Sequence, residues 1–196
     1  MNSLIPDTYM PPIQTPRLIL RRLSMADAQD LYEYSKDPEV ARFVLWSAHR
    51  SISDTRFFLR CLLRQYRAGE YASYGIQSRE TGRIIGTIGF AQFVREHRCA
   101  EIGYSLARSQ WNRGYMTEAL SAMLRQGFEV EQFHRIEAMH DVRNPASGRV
   151  MLKCGMQLEG VMHGKLCNKG EYIDVCLYGI TQQQYCRLNP TFTNSN

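Results

Sequence analysis

The residues best placed to do chemistry sit in one short run, Gln110-Trp111-Asn112-Arg113-Gly114-Tyr115-Met116-Thr117-Glu118-Ala119. The run lies between a segment patterned as a strand and one patterned as a helix. A short turn there leaves backbone N–H groups pointing outward at the helix N-terminus, where the helix dipole is positive. Such a turn can hold a pyrophosphate without a metal. Gly114 permits close approach of the backbone, and Arg113 adds a cation within reach of phosphate oxygens. Glycine at a strand-to-helix turn also serves purely structural ends, so the run alone leaves both readings open. Two other phosphate-binding patterns are missing: no Lys follows Gly114 as a Walker-type loop requires, and there is no GxGxxG. His49, His97, His134, His140 and His163 have no metal-ligand spacing, and each reads as a surface or satisfied histidine. The six cysteines include no CxxC pair, which leaves a zinc site or a dithiol motif unsupported.

The elements that must position this run follow from periodicity. Residues 1–14, with Pro6, Pro11 and Pro12, read as an extended arm. Arg17–Arg21 reads as a strand. Ser24 followed by Asp27 marks a helix start, and Asp37-Pro38 ends that helix. Ser51–Asp54 starts a second helix, whose Phe57, Phe58, Cys61, Leu62 and Tyr66 recur at helical spacing and which Ala68-Gly69 closes. Strands are predicted over 71–78, 84–93 and 99–106, then a helix over 117–130 and a strand over 133–140. Asn144-Pro145 starts a helix that Cys154-Gly155 ends. Strands over 156–163 and 172–180 flank a hydrophilic loop at 164–171, and 182–196 reads as a polar tail.

In that order the residues resemble the GNAT superfamily of N-acetyltransferases, specifically its RimJ/RimL-type branch. The branch carries W-G-K-G-Y-A-T-E-A where this chain has Trp111–Ala119. Asn144-x-x-Ser147, Lys153-x-Gly155-Met156 and Glu159-Gly160 continue the match. Upstream, Thr15–Arg21 and Asp37-Pro38-Glu39-Val40 resemble its opening strand and first loop. The likeness spans about residues 14–181. It implies a mixed α/β GNAT fold, a mainly antiparallel central sheet of about seven strands splayed in the middle and flanked by about four helices. It also implies acetyl-CoA as acetyl donor and an amine as acceptor.

The resemblance assigns roles residue by residue. Coenzyme contacts fall to Leu106, Arg113, Gly114, Tyr115, Met116, Thr117, Asn144 and Lys153, with backbone N–H groups near Leu106 facing the thioester carbonyl. Asn144 has a second reading as a helix cap. Glu101 is the candidate general base, against the simpler reading of a solvated strand residue or ion-pair partner. The family's usual general-acid tyrosine falls on Met151, which leaves Ser147 as proton donor or thiolate partner, or as a hydroxyl supporting the helix start. Tyr104 reads as acyl-pocket lining or as core. Cys154 reads as packing, since direct attack by an amine needs no acyl-enzyme. Asn112 and Met116 replace small residues of the family run, and Met116 is expected to narrow the space beside the pantetheine.

The 196 residues fit one domain, here 15–181 between the arm and the tail. A 44% apolar and 22% charged composition is that of an ordinary soluble domain. The net charge of +5 is scattered, which suits a phosphorylated ligand and gives no nucleic-acid footprint. The N-terminus lacks a secretory signal, no stretch approaches membrane-spanning length, and a cytoplasmic monomer or homodimer with reduced thiols is expected. Acceptor choice is expected to lie in 40–70, 93–99 and 161–172. Three classes of function stay open: acetylation of a protein N-terminus (ribosomal-protein-like), acetylation of a small amine, and a non-catalytic acyl-CoA-binding module.

Overall fold

The computed structural model describes residues 10–190. Strands β1 (Ile13–Gln14), β2 (Leu18–Arg21), β3 (Ser73–Ser78), β4 (Ile84–Val94), β5 (Cys99–Leu106), β6 (Arg135–Asp141), β7 (Gln157–Asn168) and β8 (Glu171–Thr181) form one sheet. Its order is β1-β2-β3-β4-β5-β6-β8-β7, and β5–β6 is the parallel pair in an otherwise antiparallel array. This is the mixed, centrally splayed architecture the resemblance implies, with the two-residue β1 as an added edge strand.

The helices are α1 (Ala28–Ser35), α2 (Pro38–Ala41), α3 (Ile52–Ala68), α4 (Tyr115–Arg125), α5 (Pro145–Lys153) and α6 (Gln182–Leu188). Local chemistry sets their ends. A short 3-10 turn leads into α1, and Asp27 closes its capping box by accepting from Ser24 N at 2.7 Å. Asp54 does the same for α3 with Ser51 N at 3.0 Å, and Gly69, at φ 69°, ends that helix. Asp37-Pro38 ends α1 and also begins α2, because Asp37 accepts from Glu39 N at 2.9 Å and Pro occupies the first turn.

Alternation along the strands gives the sheet two different faces. Phe90, Ala100, Ile102 and Ile136 lie on the face covered by α4 and the π turn Gln126–Val130 that extends it. Thr87, Ser105, Glu101 and Glu137 lie on the other face, where Tyr34 of α1 reaches Thr87 at 3.4 Å. Leu120, Met123 and Phe128 are fully buried between α4, its π extension and the sheet.

Three sequence expectations need correction. Helix α4 starts at Tyr115 rather than at residue 117, because Gly114 takes the left-handed cap conformation, φ 77°. The predicted loop at 164–171 is mostly strand: β7 and β8 run on to a two-residue turn at Lys169 and Gly170, with φ of 54° and 90°. Both strands are largely exposed there, so hydrophilic residues are compatible with them. Part of the expected tail is also ordered. Thr181 and Gln184 form a capping box for α6, and Tyr185 is buried, stacking on Phe128 at 4.8 Å. The rest of the tail, and most of the N-terminal arm, lie outside the described residues. Replacing Leu120 by Ala should cost about 2–5 kcal/mol of stability, read as a lowered urea midpoint with unchanged m-value.

Candidate active site

β5 and β6 pair only at Cys99–Arg135, Ala100–Ile136 and Glu101–Glu137. Beyond that point each strand keeps its outer neighbour: β5 follows β4 to Leu106, and β6 follows β8 to Asp141. A wedge therefore opens between them, and the loops leading to the N-termini of α4 and α5 lie at its wide end. Ala107 N donates to Ile85 O at 2.8 Å, so by antiparallel alternation the N–H and C=O of Leu106 point away from β4 into the wedge. The C=O accepts from Trp111 Nε1 at 2.8 Å, which ties the following loop to the strand.

That loop is Arg108–Gly114. Asn112 stands at φ 60°, a conformation that Asn tolerates better than most residues, which accounts for its replacing a glycine. Gly114, at φ 77°, caps α4 and offers no side chain to accept from the first N–H groups of the helix. These donors face outward at the positive end of the dipole. The Arg113 side chain is exposed beside them. Met116 points the opposite way: it is 6% exposed and packs in the core, so its side chain does not narrow a channel beside a ligand. Thr117 is half-buried, and its carbonyl accepts from Cys154 Sγ at 3.4 Å. Burial pushes the Cys154 thiol up, which suits packing and opposes nucleophilic use.

At the other lip, Asp141 accepts from Arg143 N at 2.9 Å and pairs with its guanidinium at 2.6 Å, shaping the turn into α5. Asn144 is the N-cap residue, yet its side chain makes no capping bond and is left for other partners. Ser147 Oγ lies 2.9 Å from Tyr104 Oη, and the phenol also donates to Ser147 O at 3.2 Å. The helix residue Ser147 is thus joined to a phenol from β5. Met151, at the position where that tyrosine is usual, is 1% exposed and faces the core. Burial raises the Tyr104 phenol well above its ordinary value, against the hydrogen bond to Ser147, so the group keeps its proton at neutral pH. The sequence reading left Tyr104 between acyl-pocket lining and core; its contact with Ser147 exists only in the folded chain.

His140 corrects the expectation of a surface or satisfied histidine. It is 8% exposed, Nδ1 contacts Asp141 O at 2.8 Å, and Nε2 has no partner among the described residues. A Cβ on Gly148 would come within 2.7 Å of both this nitrogen and Tyr178 Oη, which explains glycine immediately after Ser147.

Glu101 sits where the wedge closes, on the sheet face opposite Tyr104 and Ser147. Its carboxylate makes no hydrogen bond or ion pair among the described residues. Its neighbour Glu137 is held by Arg135 at 2.6 Å, and the same guanidinium donates to Glu159 at 2.8 Å. Burial, then the charge of Glu137, raises the Glu101 carboxyl above its ordinary value, with Lys165 opposing. Leu106, Gly114–Thr117, Asn144 and Ser147 come together around the wedge. Lys153 does not: it lies at the far end of α5, lining a cavity of about 650 Å³ with Glu118, Ser121 and Arg125. Among the described residues no cluster of His, Cys, Asp or Glu is arranged to hold a metal ion, and no helix is long and apolar enough to cross a membrane.

Comparison with known proteins gives this geometry its family. The model of the acetyltransferase (GNAT) domain matches residues 17–157. The chain belongs to the GNAT acetyltransferases. Across 88% of its length the acetyltransferase is 33% identical to YoaA of Bacillus subtilis, an uncharacterized N-acetyltransferase, covering 97% of that protein. It is 28% identical to the ribosomal protein uS5-alanine N-acetyltransferase of Escherichia coli, over 86% of this chain and 90% of that one. A GNAT acetyltransferase structure from Bacillus anthracis superposes with a TM-score of 0.79 and 28% identity, covering 88% of this chain and 99% of the other. The activity is therefore acetyl transfer from acetyl-CoA to an amine. The residues around the wedge fit that donor: uncapped helix donors, a free strand N–H at Leu106 and the unengaged Asn144 side chain.

A base must be deprotonated to act, so activity resting on Glu101 falls as pH drops through its raised pKa. The acid limb of the kcat profile should lie above the ordinary carboxylate range. Glu101→Gln should remove that limb and lower kcat about 10²-fold. Initial rates of coenzyme release against pH test both, and an unchanged limb in the variant would refute the role.

Proposed function

We propose that the acetyltransferase acts on the N-terminal α-amine of a protein or peptide, with Glu101 as general base and the Tyr104–Ser147 pair as proton donor to the departing thiolate. The observation that carries this reading is the placement of an unpaired carboxylate and a protonated phenol–hydroxyl pair on opposite faces of one open wedge. An amine approaching from the α1–α3 face loses its proton to Glu101 and attacks the thioester carbonyl. The Leu106 N–H supports the oxygen on which charge develops. The C–S bond then breaks, and the thiolate takes a proton from the Ser147 hydroxyl, which Tyr104 re-protonates; the phenolate then regains its proton from solvent. Arg113, Gly114 and the N–H groups of Tyr115, Met116 and Thr117 hold the coenzyme pyrophosphate, and Asn144 bonds its pantetheine arm. The position of Lys153 suits the coenzyme less directly, from the outer side of α4 and α5.

Preference for a chain terminus is supported by how the acceptor face is covered. Lys169, at the β7–β8 turn, donates to Ala41 O at 2.7 Å and Val44 O at 3.0 Å. The hairpin thereby bridges to the end of α2 and the segment after it, a covering that favours end-on entry of an acceptor. The likeness to the uS5-alanine enzyme points the same way.

Coenzyme release measured with a panel of N-terminal peptides and free small amines decides the acceptor. Peptide substrates should exceed polyamines and amino acids in kcat/KM; the reverse order would overturn the assignment, and saturable acetyl-CoA binding without any turnover would overturn catalysis itself. Ser147→Ala and Tyr104→Phe should each lower kcat by about 10-fold to 10²-fold while leaving acetyl-CoA affinity within about twofold.

A further inference from the structure

Glu118 occupies the first turn of α4, the end of the helix that should receive an anion. A free carboxylate there would favour the helix dipole but repel a pyrophosphate bound at the same N-terminus. The structure does not leave it free. Glu118 Oε1 accepts from Thr15 Oγ1 at 2.6 Å and Arg17 N at 2.8 Å, and Oε2 accepts from Arg17 Nε at 2.6 Å. Burial pushes this acid up, but these hydrogen bonds outweigh it and hold the carboxyl below its ordinary value.

Arg17 does more than neutralise one acid. Its Nη1 donates to Arg113 O at 2.9 Å, and its guanidinium lies over the Tyr115 ring at 4.4 Å. A single side chain from the segment entering β2 therefore grips residues 113, 115 and 118, on both sides of Gly114. The partners are about a hundred residues apart in sequence, so only the fold brings them together. Arg17 is suited to this by its planar fork, which serves a carboxylate, a carbonyl and an aromatic face at once; a lysine could satisfy one of the three.

We propose that Arg17, assisted by Thr15, is a positioning residue for coenzyme binding: it fixes the 113–115 turn and cancels the Glu118 charge, leaving the head of α4 electropositive toward the pyrophosphate. The proposal rests on reading the 110–119 run as the coenzyme site.

Calorimetric titration of coenzyme A into Arg17→Met, Arg17→Lys, Glu118→Gln and the Arg17→Met/Glu118→Gln double variant tests it, with thermal melts confirming that each is folded. Arg17→Met should weaken binding about tenfold, with kcat at saturating acetyl-CoA within about twofold of the parent. Arg17→Lys should fall between the two. The double variant should recover part of the lost affinity, because the uncompensated carboxylate is gone although the 113–115 turn stays unheld, whereas a merely structural staple would not be rescued by removing its second partner. Normal binding by Arg17→Met, or a double variant no better than the single, would overturn the proposal. If Arg17→Met fails to fold, Thr15→Val serves, with an expected loss of about twofold to threefold; unchanged binding would count against the proposal. Gly114→Val separates the two layers. Normal binding by that variant removes the coenzyme-site reading itself, and loss of binding there with Arg17→Met unaffected removes this inference alone.

Discussion

The early end of the β5–β6 ladder is the constraint on which the rest of the structure depends. Parallel pairing stops at Glu101 and Glu137, yet both strands continue. A sheet that opens in this way exposes backbone groups that must find partners elsewhere. One of them, Leu106 C=O, is taken by the Trp111 indole, and the N–H of the same residue faces the opening. The opening is held because each strand stays zipped to its outer neighbour and because α4 packs a buried row, Leu120 and Met123 among it, against β2 and β4. A polar, backbone-lined gap thus exists inside a well-packed domain.

The gap also separates two kinds of titratable group. On one face, Arg135 engages Glu137 and Glu159 and leaves Glu101 the unpaired acid of the group. On the other, Tyr104 and Ser147 hydrogen-bond to each other behind the wedge. Burial raises both Glu101 and Tyr104, but with different consequences. A raised carboxyl is a stronger base once ionised, whereas a raised phenol is more securely protonated. One physical cause, desolvation, lies behind both shifts.

Much of the scaffold was legible in the chain because its signals are local. Ser24 with Asp27, Ser51 with Asp54, and Gly69 and Gly155 each act within one helical turn, so types and spacing suffice to read them. The failures have local explanations as well. The exposed β7–β8 extension carries no apolar alternation by which to recognise it, and the single buried aromatic of α6, Tyr185, is masked by polar neighbours although its Thr181–Gln184 capping box was readable. Met116 looked like a ligand-facing departure, but its orientation is set by helix phase against the core, which the family run alone does not reveal.

What the sequence determined by itself was the presence of a strand-to-helix turn around Gly114, the order of elements around it and the residue types available for acid–base work. What only the tertiary structure decided was which of those residues meet. Tyr104 and Ser147 are 43 residues apart, and Arg17 and Glu118 are 101 apart. Their meeting depends on sheet register, on which face each strand residue takes and on where β5 and β6 part. These are collective outcomes of packing a whole core, since a shift of one residue in register would move every side chain to the opposite face. Residue chemistry is written position by position, whereas proximity between distant positions exists only once the chain has buried its apolar surface in one arrangement.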